Sequence, residues 1–226
     1  TERRHFQMSL NANNSKELQK KQNTITFINA ATEMIAELGI EHISIRKIAE
    51  KAGFHNSTIY LYFKDLDELL LLASMKFFQK YSHSLSLLSK TATTSGETFI
   101  KIWDYFLTTV FKWPNLFFNF FYGKRSDDLT PYMNHYYELY PEERNEYTDD
   151  IHNMYYGKNI EERSSNLLKT VLNETDKVTA DNMDMVNEII VSYCKYKLEQ
   201  KRANMDLDNT KLKDECLHVI SYVTGV

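Results

Sequence analysis

The sequence predicts an all-α protein in two parts: an N-terminal three-helix domain with a helix-turn-helix, and a C-terminal helical domain. Three observations carry this. Apolar residues recur close to every 3.6 positions almost throughout, and no alternating run is long enough for a confident strand. Only 6 Gly and 3 Pro occur in 226 residues, which counts against Gly-rich nucleotide-binding loops and turn-rich all-β folds. Two short helical segments flank Gly53 at helix-turn-helix spacing.

The elements follow in order. Residues 1–20 are polar and read as a flexible arm; the chain begins at Thr1, with Met8 a candidate start. Over 24–38, Phe27, Ile28, Ala31, Ile35 and Leu38 share one stripe, so a helix is expected there. Gly39 stands at its left-handed stop, with Ile40 placed for the accompanying apolar contact. Ser44 is a good N-cap for a second helix with Ile45, Ile48, Ala49 and Ala52 on its apolar face, ended by Gly53. A third starts near His55 or Asn56 and carries Ile59, Tyr60 and Phe63. Asp65-Leu66-Asp67-Glu68 reads as a capping box opening a long helix to about Leu88.

Beyond it, residues 91–96 (TATTSG) read as a loop and 97–112 as an aromatic-rich helix. Pro114 opens another helix that stops at Gly123. Further helices are expected at about 129–139, 142–156, 160–176, 180–202 and 208–224. The domains expected are the arm at 1–20, the helix-turn-helix domain at 21–66 and the helical domain at 67–226.

Composition narrows the function. Aromatics are 13% and hydrophobic residues 42%, enough for a sizeable core and too apolar for a disordered chain. The formal charge of −4 excludes a uniformly basic coat but not a local basic patch. Residues 1–65 hold nine basic and seven acidic side chains, so the acidic excess lies in the remainder. Lys16, Lys20 and Lys21 would suit a phosphate-contacting arm or simply a solvated tail. Cys194 and Cys216 form no CxxC and read as reduced thiols. No apolar run approaches the ~20 residues of a membrane span, and a cytoplasmic location with no membrane partner is expected.

The informative stretch is Ile43–Lys64, ISIRKIAEKAGFHNSTIYLYFK. Ala49 is small enough for a second helix to cross closely, and Gly53 frees the backbone to turn. Ile48, Phe54 and Ile59 would lock the pair onto the first helix. That leaves Asn56, Ser57, Thr58, Tyr60 and Tyr62 on a face short and polar enough for a major groove.

These residues resemble the tetracycline-repressor (TetR) family of bacterial transcription regulators. The resemblance rests on Ala31 and Ile35-Ala36-Glu37-Leu38-Gly39, then Ser44-Ile45-Arg46-Lys47-Ile48-Ala49-Glu50-Lys51-Ala52-Gly53-Phe54. It continues through Ser57-Thr58-Ile59-Tyr60-Leu61-Tyr62-Phe63-Lys64 and Asp67-Glu68-Leu69, and covers about a fifth of the chain. His55 stands where the family usually has Ser, and Ser57 where Gly is common. A histidine is the poorer cap, so Asn56 is expected to cap in its place.

The resemblance implies roles residue by residue. Ser44 would donate to a phosphate from a helix N-terminus. Arg46 and Lys47 would reach the backbone, Tyr62 would contact phosphate through its hydroxyl, and Lys64 would neutralise phosphate. Thr58 and Tyr60 would sit near the groove, although the Tyr60 ring reads equally as packing between helices. His55, Asn56 and Ser57 would read bases, and Leu61 would meet a thymine methyl.

The resemblance covers the C-terminal part in architecture only. Ten of thirty aromatics crowd residues 103–122. Trp103, Phe106, Trp113, Phe117, Phe118, Phe121 and Tyr122, with Tyr136 and Tyr137 beyond, read either as the lining of a pocket for a lipophilic or aromatic effector or as ordinary core. Val186, Ile189, Ile190 and Tyr193 stripe one helix; Leu212, Cys216, Val219, Ile220 and Val223 stripe the last. Two such helices per subunit would suit a two-fold four-helix bundle.

Enzyme signatures are weak. Glu215-x-x-His218 occurs once, where a di-iron bundle needs two such units. Asp149-Asp150-Ile151-His152 reads better as a charged helix start than as a metal site. No cofactor, metal or catalytic residue is expected. The partners expected are double-stranded operator DNA, a small effector and a second copy of the chain. The alternative is an all-helical binding protein or enzyme with a vestigial helix-turn-helix.

Overall fold

The computed structural model describes residues 2–91, 94–172 and 174–226, and every regular element among them is helical. The chain divides into two compact units, Thr1–Ala73 and Ser74–Val226. The division falls within a helix, beyond the limit expected at residue 66.

In the first unit, α1 (Glu2–Leu38) takes in residues 2–20 as well as the expected stripe. Phe27, Ile28, Ala31 and Ile35 are buried, joined by Ala30 and Met34, whereas Leu38 at the end of the helix is 46% exposed. Gly39 ends α1 at φ 80°, ψ 156°, a glycine-only conformation but an extended one rather than the left-handed turn expected. α2 (Ile45–Ala52) is capped by Ser44, whose side chain accepts from the Lys47 N–H. It stops at Gly53 (φ 77°, ψ 26°), with the Phe54 N–H returning to the Ala49 carbonyl at 2.9 Å. Here the left-handed stop is formed as expected.

The third helical segment is tighter than an α-helix: Asn56–Leu61 is a 3₁₀ helix. Its carbonyl-to-amide bonds span three residues (Thr58 to His55, Tyr62 to Ile59), and Phe63 returns to the Ile59 carbonyl. α3 (Leu66–Leu88) then opens on Asp65, which accepts from the Glu68 N–H at 3.0 Å. Glu68 in turn accepts from the Lys64 N–H at 2.6 Å, one residue earlier than in the usual box.

The second unit contains the rest of α3 and α4 (Ser95–Lys112), α5 (Pro114–Tyr122), α6 (Thr130–Leu139), α7 (Asp149–Tyr155), α8 (Ile160–Lys169), α9 (Met183–Ala203) and α10 (Asn209–Thr224). α10 lies along α4 and α9, α8 joins α7 to α9, and α5 packs on α9. Of the 91–96 loop, residues 92 and 93 lie outside the described residues.

Two helices are shorter than their periodicity suggests. The helix expected at 142–156 is a 3₁₀ turn at Pro141–Glu143, an irregular stretch, and then α7. That stretch is tied to α3: Asn145 donates to the Ser82 hydroxyl at 2.9 Å, Tyr147 bonds the same hydroxyl, and the Thr148 N–H donates to Ser89 at 3.2 Å. The helix expected at 160–176 ends at Lys169, and the chain carries Glu174 to the start of α4. There its carboxylate accepts from the Ser95 and Gly96 N–H groups at 3.1 and 2.6 Å, complementing the positive end of α4.

Candidate nucleic-acid interface and effector cavity

The helix-turn-helix is built from the inside outward. Ile48, Ala49, Ile59 and Phe63 are buried, and Phe54 stacks on Phe27 with ring centroids 4.8 Å apart. With those residues turned inward, Arg46, Lys47, His55, Asn56, Ser57, Tyr60, Leu61 and Lys64 are exposed. Ser44, Thr58 and Tyr62 are half-buried. Tyr60 and Leu61 are 58% and 71% exposed, so the Tyr60 ring is not wedged between helices.

Local bonds determine what each group has left to offer. His55, not Asn56, caps the segment: its Nδ1 accepts from the Ser57 N–H at 3.4 Å and lies 2.9 Å from the Ser57 hydroxyl. The imidazole replaces serine because Nδ1 lies two bonds from Cβ, much as a serine oxygen lies one. The Lys47 ammonium donates to the His42 carbonyl at 3.0 Å. Lys51 bridges Glu33 and Glu37 at 3.0 and 3.6 Å, and the hydrogen bond to Glu33 raises its pKa above the ordinary lysine value. Asn23 of α1 donates to the Tyr62 hydroxyl at 2.7 Å. That oxygen accepts, so its own proton remains available to a phosphate.

In the second unit, four helices line a small, partly open pocket with about 20 Å³ of free space. α3 contributes Phe78 and Tyr81, α4 contributes Ile102, Trp103 and Phe106, and α7 contributes Met154. α8 supplies Ile160, Arg163, Ser164 and Leu167. The walls are apolar and aromatic apart from one polar side on α8. Arg163 is 4% exposed, and its Nε donates to the Gly157 carbonyl at 3.0 Å. Its guanidinium also touches the Met133 sulfur at 2.7 Å and lies over the Phe121 and Tyr155 rings. Burial lowers its pKa, and the groups opposing that shift are phenols, with no carboxylate among them.

Of the nine aromatics expected to bind a ligand, Trp103 and Phe106 line this cavity, and Phe121 lies one ring behind at 5.3 Å from Phe106. The others are placed elsewhere. Phe117 is fully buried against Phe78 in the aromatic core. Phe118 and Tyr122 turn to α9, under Arg202 at 3.7 Å and Lys195 at 5.2 Å. Trp113 packs on Phe77 beside an open groove between α3 and α4. Tyr136 donates to Glu143, which also holds Lys76, and Tyr137 bonds the Tyr155 hydroxyl at 2.8 Å. Phe117, Tyr136 and Tyr137 are core residues, while Trp113, Phe118 and Tyr122 are half-buried.

Sequence reading missed Arg163 and Ser164. The stretch Glu161-Glu162-Arg163-Ser164-Ser165 looks like a solvated helix face. The signal was the spacing: Ile160, Arg163, Ser164 and Leu167 stand at i, i+3, i+4 and i+7, one stripe of one helix.

The expected dimer stripe also divides. Val186, Ile190, Leu212, Cys216 and Ile220 are buried within their own subunit, so they are core residues and not faces open to a second copy. Tyr193, Val219 and Val223 are half-buried. The exposed apolar residues of α9 are Met185, Ile189 and Tyr196, which share a helical face. Cys194 and Cys216 are free thiols, both buried, with hydrogen bonding to Cys216 raising the Cys194 pKa, and Glu215 pairs with Lys197 at 2.6 Å. No helix among the described residues is long and apolar enough to cross a membrane.

Residues 27–73 match the family model of bacterial regulatory proteins, tetR family. The fatty acid metabolism regulator protein of Bacillus subtilis (strain 168) is 43% identical over 53 residues, 24% of this chain and 27% of that protein. The chain thus matches only about a quarter of that relative's length. Among solved structures, the transcriptional regulator FadR from Bacillus subtilis in complex with stearoyl-CoA has a TM-score of 0.55 at 19% identity, covering 89% of this chain and 98% of that one. RolR in complex with resorcinol has a TM-score of 0.59 at 15% identity, covering 93% and 91%. Thermus thermophilus FadR in complex with lauroyl-CoA has a TM-score of 0.54 at 12% identity, covering 87% and 92%. These likenesses show a shared fold across both units. The helix-turn-helix geometry and the family match agree over residues 27–73, which resemble the tetR family of bacterial regulatory proteins, and the chain shares its fold with the regulators above.

Proposed function

We propose that this chain is a sequence-specific DNA-binding regulator, acting as a repressor, that leaves its operator when a small lipophilic or aromatic effector enters the second unit. The observation that carries this is the exposed surface of residues 44–64. Ile48, Ala49, Ile59 and Phe63 are buried, while Arg46, Lys47, His55, Asn56, Ser57, Tyr60, Leu61 and Lys64 are left to solvent. A vestigial module would have no need to keep that division.

The chain would act as a homodimer in the cytoplasm, setting two recognition segments one turn of DNA apart. Ser44, Lys47, Tyr62 and Lys64 would position the protein on phosphates; His55, Asn56, Ser57, Thr58 and Leu61 would read bases. The exposed apolar face of α9 would supply the dimer contact. The acyl chains of the stearoyl-CoA and lauroyl-CoA bound by two relatives, and the ring of the resorcinol bound by a third, are apolar or aromatic like the walls of the pocket. Phe78 and Tyr81 of those walls sit on α3, the helix that follows the recognition segment. An effector coupled to operator binding by about 1–3 kcal/mol would weaken it about 5- to 150-fold.

A mobility-shift assay against the intergenic DNA beside the gene, across a salt series, tests this. A specific shift at low salt that Tyr62→Ala abolishes is expected. Absence of any specific shift at low salt, with Tyr62→Ala indistinguishable from the parent protein, overturns the repressor reading.

A further inference from the structure

The polar side of the cavity consists of donors whose acceptors are weak or absent. Trp103 is 3% exposed and its Nε1–H, which can only donate, has no partner. Ser164 is also 3% exposed, and its hydroxyl has none either, not even a carbonyl of its own helix. The Tyr81 hydroxyl reaches only the Met154 sulfur, at 3.7 Å. Arg163 spends one N–H on the Gly157 carbonyl and another on a thioether. No carboxylate among the described residues pairs with it.

Such a cluster is costly to keep empty-handed: a buried donor without an acceptor loses its hydration, and a buried charge without a counter-charge loses more. The group that answers all of them is an acceptor with negative charge and no proton to give. The rest of the lining is hydrocarbon and aromatic, so the remainder of the molecule must be apolar. A phenol or alcohol would bring a further donor to a site already rich in donors. A thioester or ester would bring acceptors but leave the guanidinium unneutralised.

We propose that this small pocket widens to take a monocarboxylate with an apolar body, its carboxylate accepting from the Arg163 guanidinium, the Trp103 Nε1–H and the Ser164 hydroxyl. This rests on the reading of the cavity as the effector site and narrows that reading to acids. Arg163 also supports the Gly157 carbonyl, so its replacement disturbs the fold as well as the ligand. Ser164 and Trp103 hold nothing in the unliganded protein through these two atoms, and their variants separate the two effects.

The test is titration calorimetry of the full chain with decanoate and 3-phenylpropionate, against their methyl esters, the corresponding primary alcohols and decanoyl-CoA. At least one acid is expected to bind tenfold or more tighter than its ester and alcohol. Ser164→Ala and Trp103→Phe should each weaken that acid about tenfold, the loss of one hydrogen bond to a charged group. Thermal melting of unliganded Ser164→Ala should match or exceed the parent, whereas Trp103→Phe also loses buried ring volume and melts somewhat lower. Esters, alcohols or decanoyl-CoA binding as tightly as the acids overturn the proposal, as does binding by neither acid at millimolar concentration. An acid affinity unchanged in both variants overturns it too. Operator release, followed in parallel, keeps the two readings apart. Release by an ester or by decanoyl-CoA sinks the carboxylate and leaves the effector site standing; binding of an acid without any operator to release sinks the repressor.

Discussion

Asn23 and Tyr62 lie thirty-nine positions apart, and the amide of the first donates to the hydroxyl of the second at 2.7 Å. The bond ties α1 to the end of the recognition segment, where the Tyr62 ring also packs 5.5 Å from Phe27. It uses the phenol oxygen as an acceptor and leaves the hydroxyl proton free to donate. Tyr62→Phe keeps the ring and removes the oxygen. Operator affinity should fall about tenfold, near the lower end of the range for one hydrogen bond to a charged group, while the melting temperature changes by only a few degrees. Fluorescence anisotropy with labelled operator, alongside a melt, measures both. A large loss of stability with unchanged affinity would assign Tyr62 to the core alone.

Gly53 and Gly39 have positive φ for different reasons, and alanine should separate them. At Gly53 a Cβ would meet nothing within 4 Å, so Gly53→Ala costs only the left-handed conformation, about 1–2 kcal/mol. At Gly39 the ψ of 156° lies where alanine is still less at ease, and the Cβ would come within 2.8 Å of a Glu41 carboxylate oxygen. Urea denaturation should rank Gly39→Ala below Gly53→Ala. The reverse order would contradict the conformations described.

Ile189 and Ile190 are neighbours with opposite surroundings: Ile189 is 40% exposed and Ile190 is fully buried. Ile190→Asp should unfold the second unit, since a buried unpaired carboxylate costs several kcal/mol. Ile189→Asp should leave the circular dichroism intact and shift sedimentation velocity from dimer to monomer. A dimer that survives Ile189→Asp unchanged places the subunit contact elsewhere.

Alkaline pH should unfold the protein through its buried acids. Burial pushes the Tyr81, Tyr136 and Tyr155 phenols above their ordinary value, and the hydrogen bond to Cys216 together with burial does the same for the Cys194 thiol. A folded-state pKa above the unfolded one means stability that is complete below the unfolded value and lost as pH rises through the folded one. With unfolded values of about 8.5 for cysteine and 10 for tyrosine, the urea midpoint should hold steady from pH 7 to about 8.5 and then decline. Tyrosinate absorbance should rise in step with unfolding. A midpoint that keeps improving to pH 10 would contradict the burial of these groups.

How far the sequence was legible depended on what each residue had to face. The helix-turn-helix could be read because its parts are local: Ser44 caps, Gly53 turns, and Ile48, Ala49 and Ile59 lie within a dozen residues of one another. His55 departed from that reading because an imidazole nitrogen can cap as a hydroxyl does. In the second unit, periodicity marked which helix face is apolar but not what covers it. The stripe of Leu212, Cys216 and Ile220 therefore looked the same whether it met a partner or its own core. Arg163 was hidden for a related reason: a charged residue on an apolar stripe is read as solvated until the fold shows the cavity beside it.

The central claim is that residues 44–64 read DNA as a two-fold pair. Selection of binding sequences from a random duplex library, using the purified full-length chain, tests it most directly. The account predicts an enriched pseudo-palindrome whose half-sites are centred about one helical turn apart, with enrichment lost in Tyr62→Ala. A library that emerges without any enriched sequence, or one enriched equally by the Tyr62→Ala variant, would contradict it.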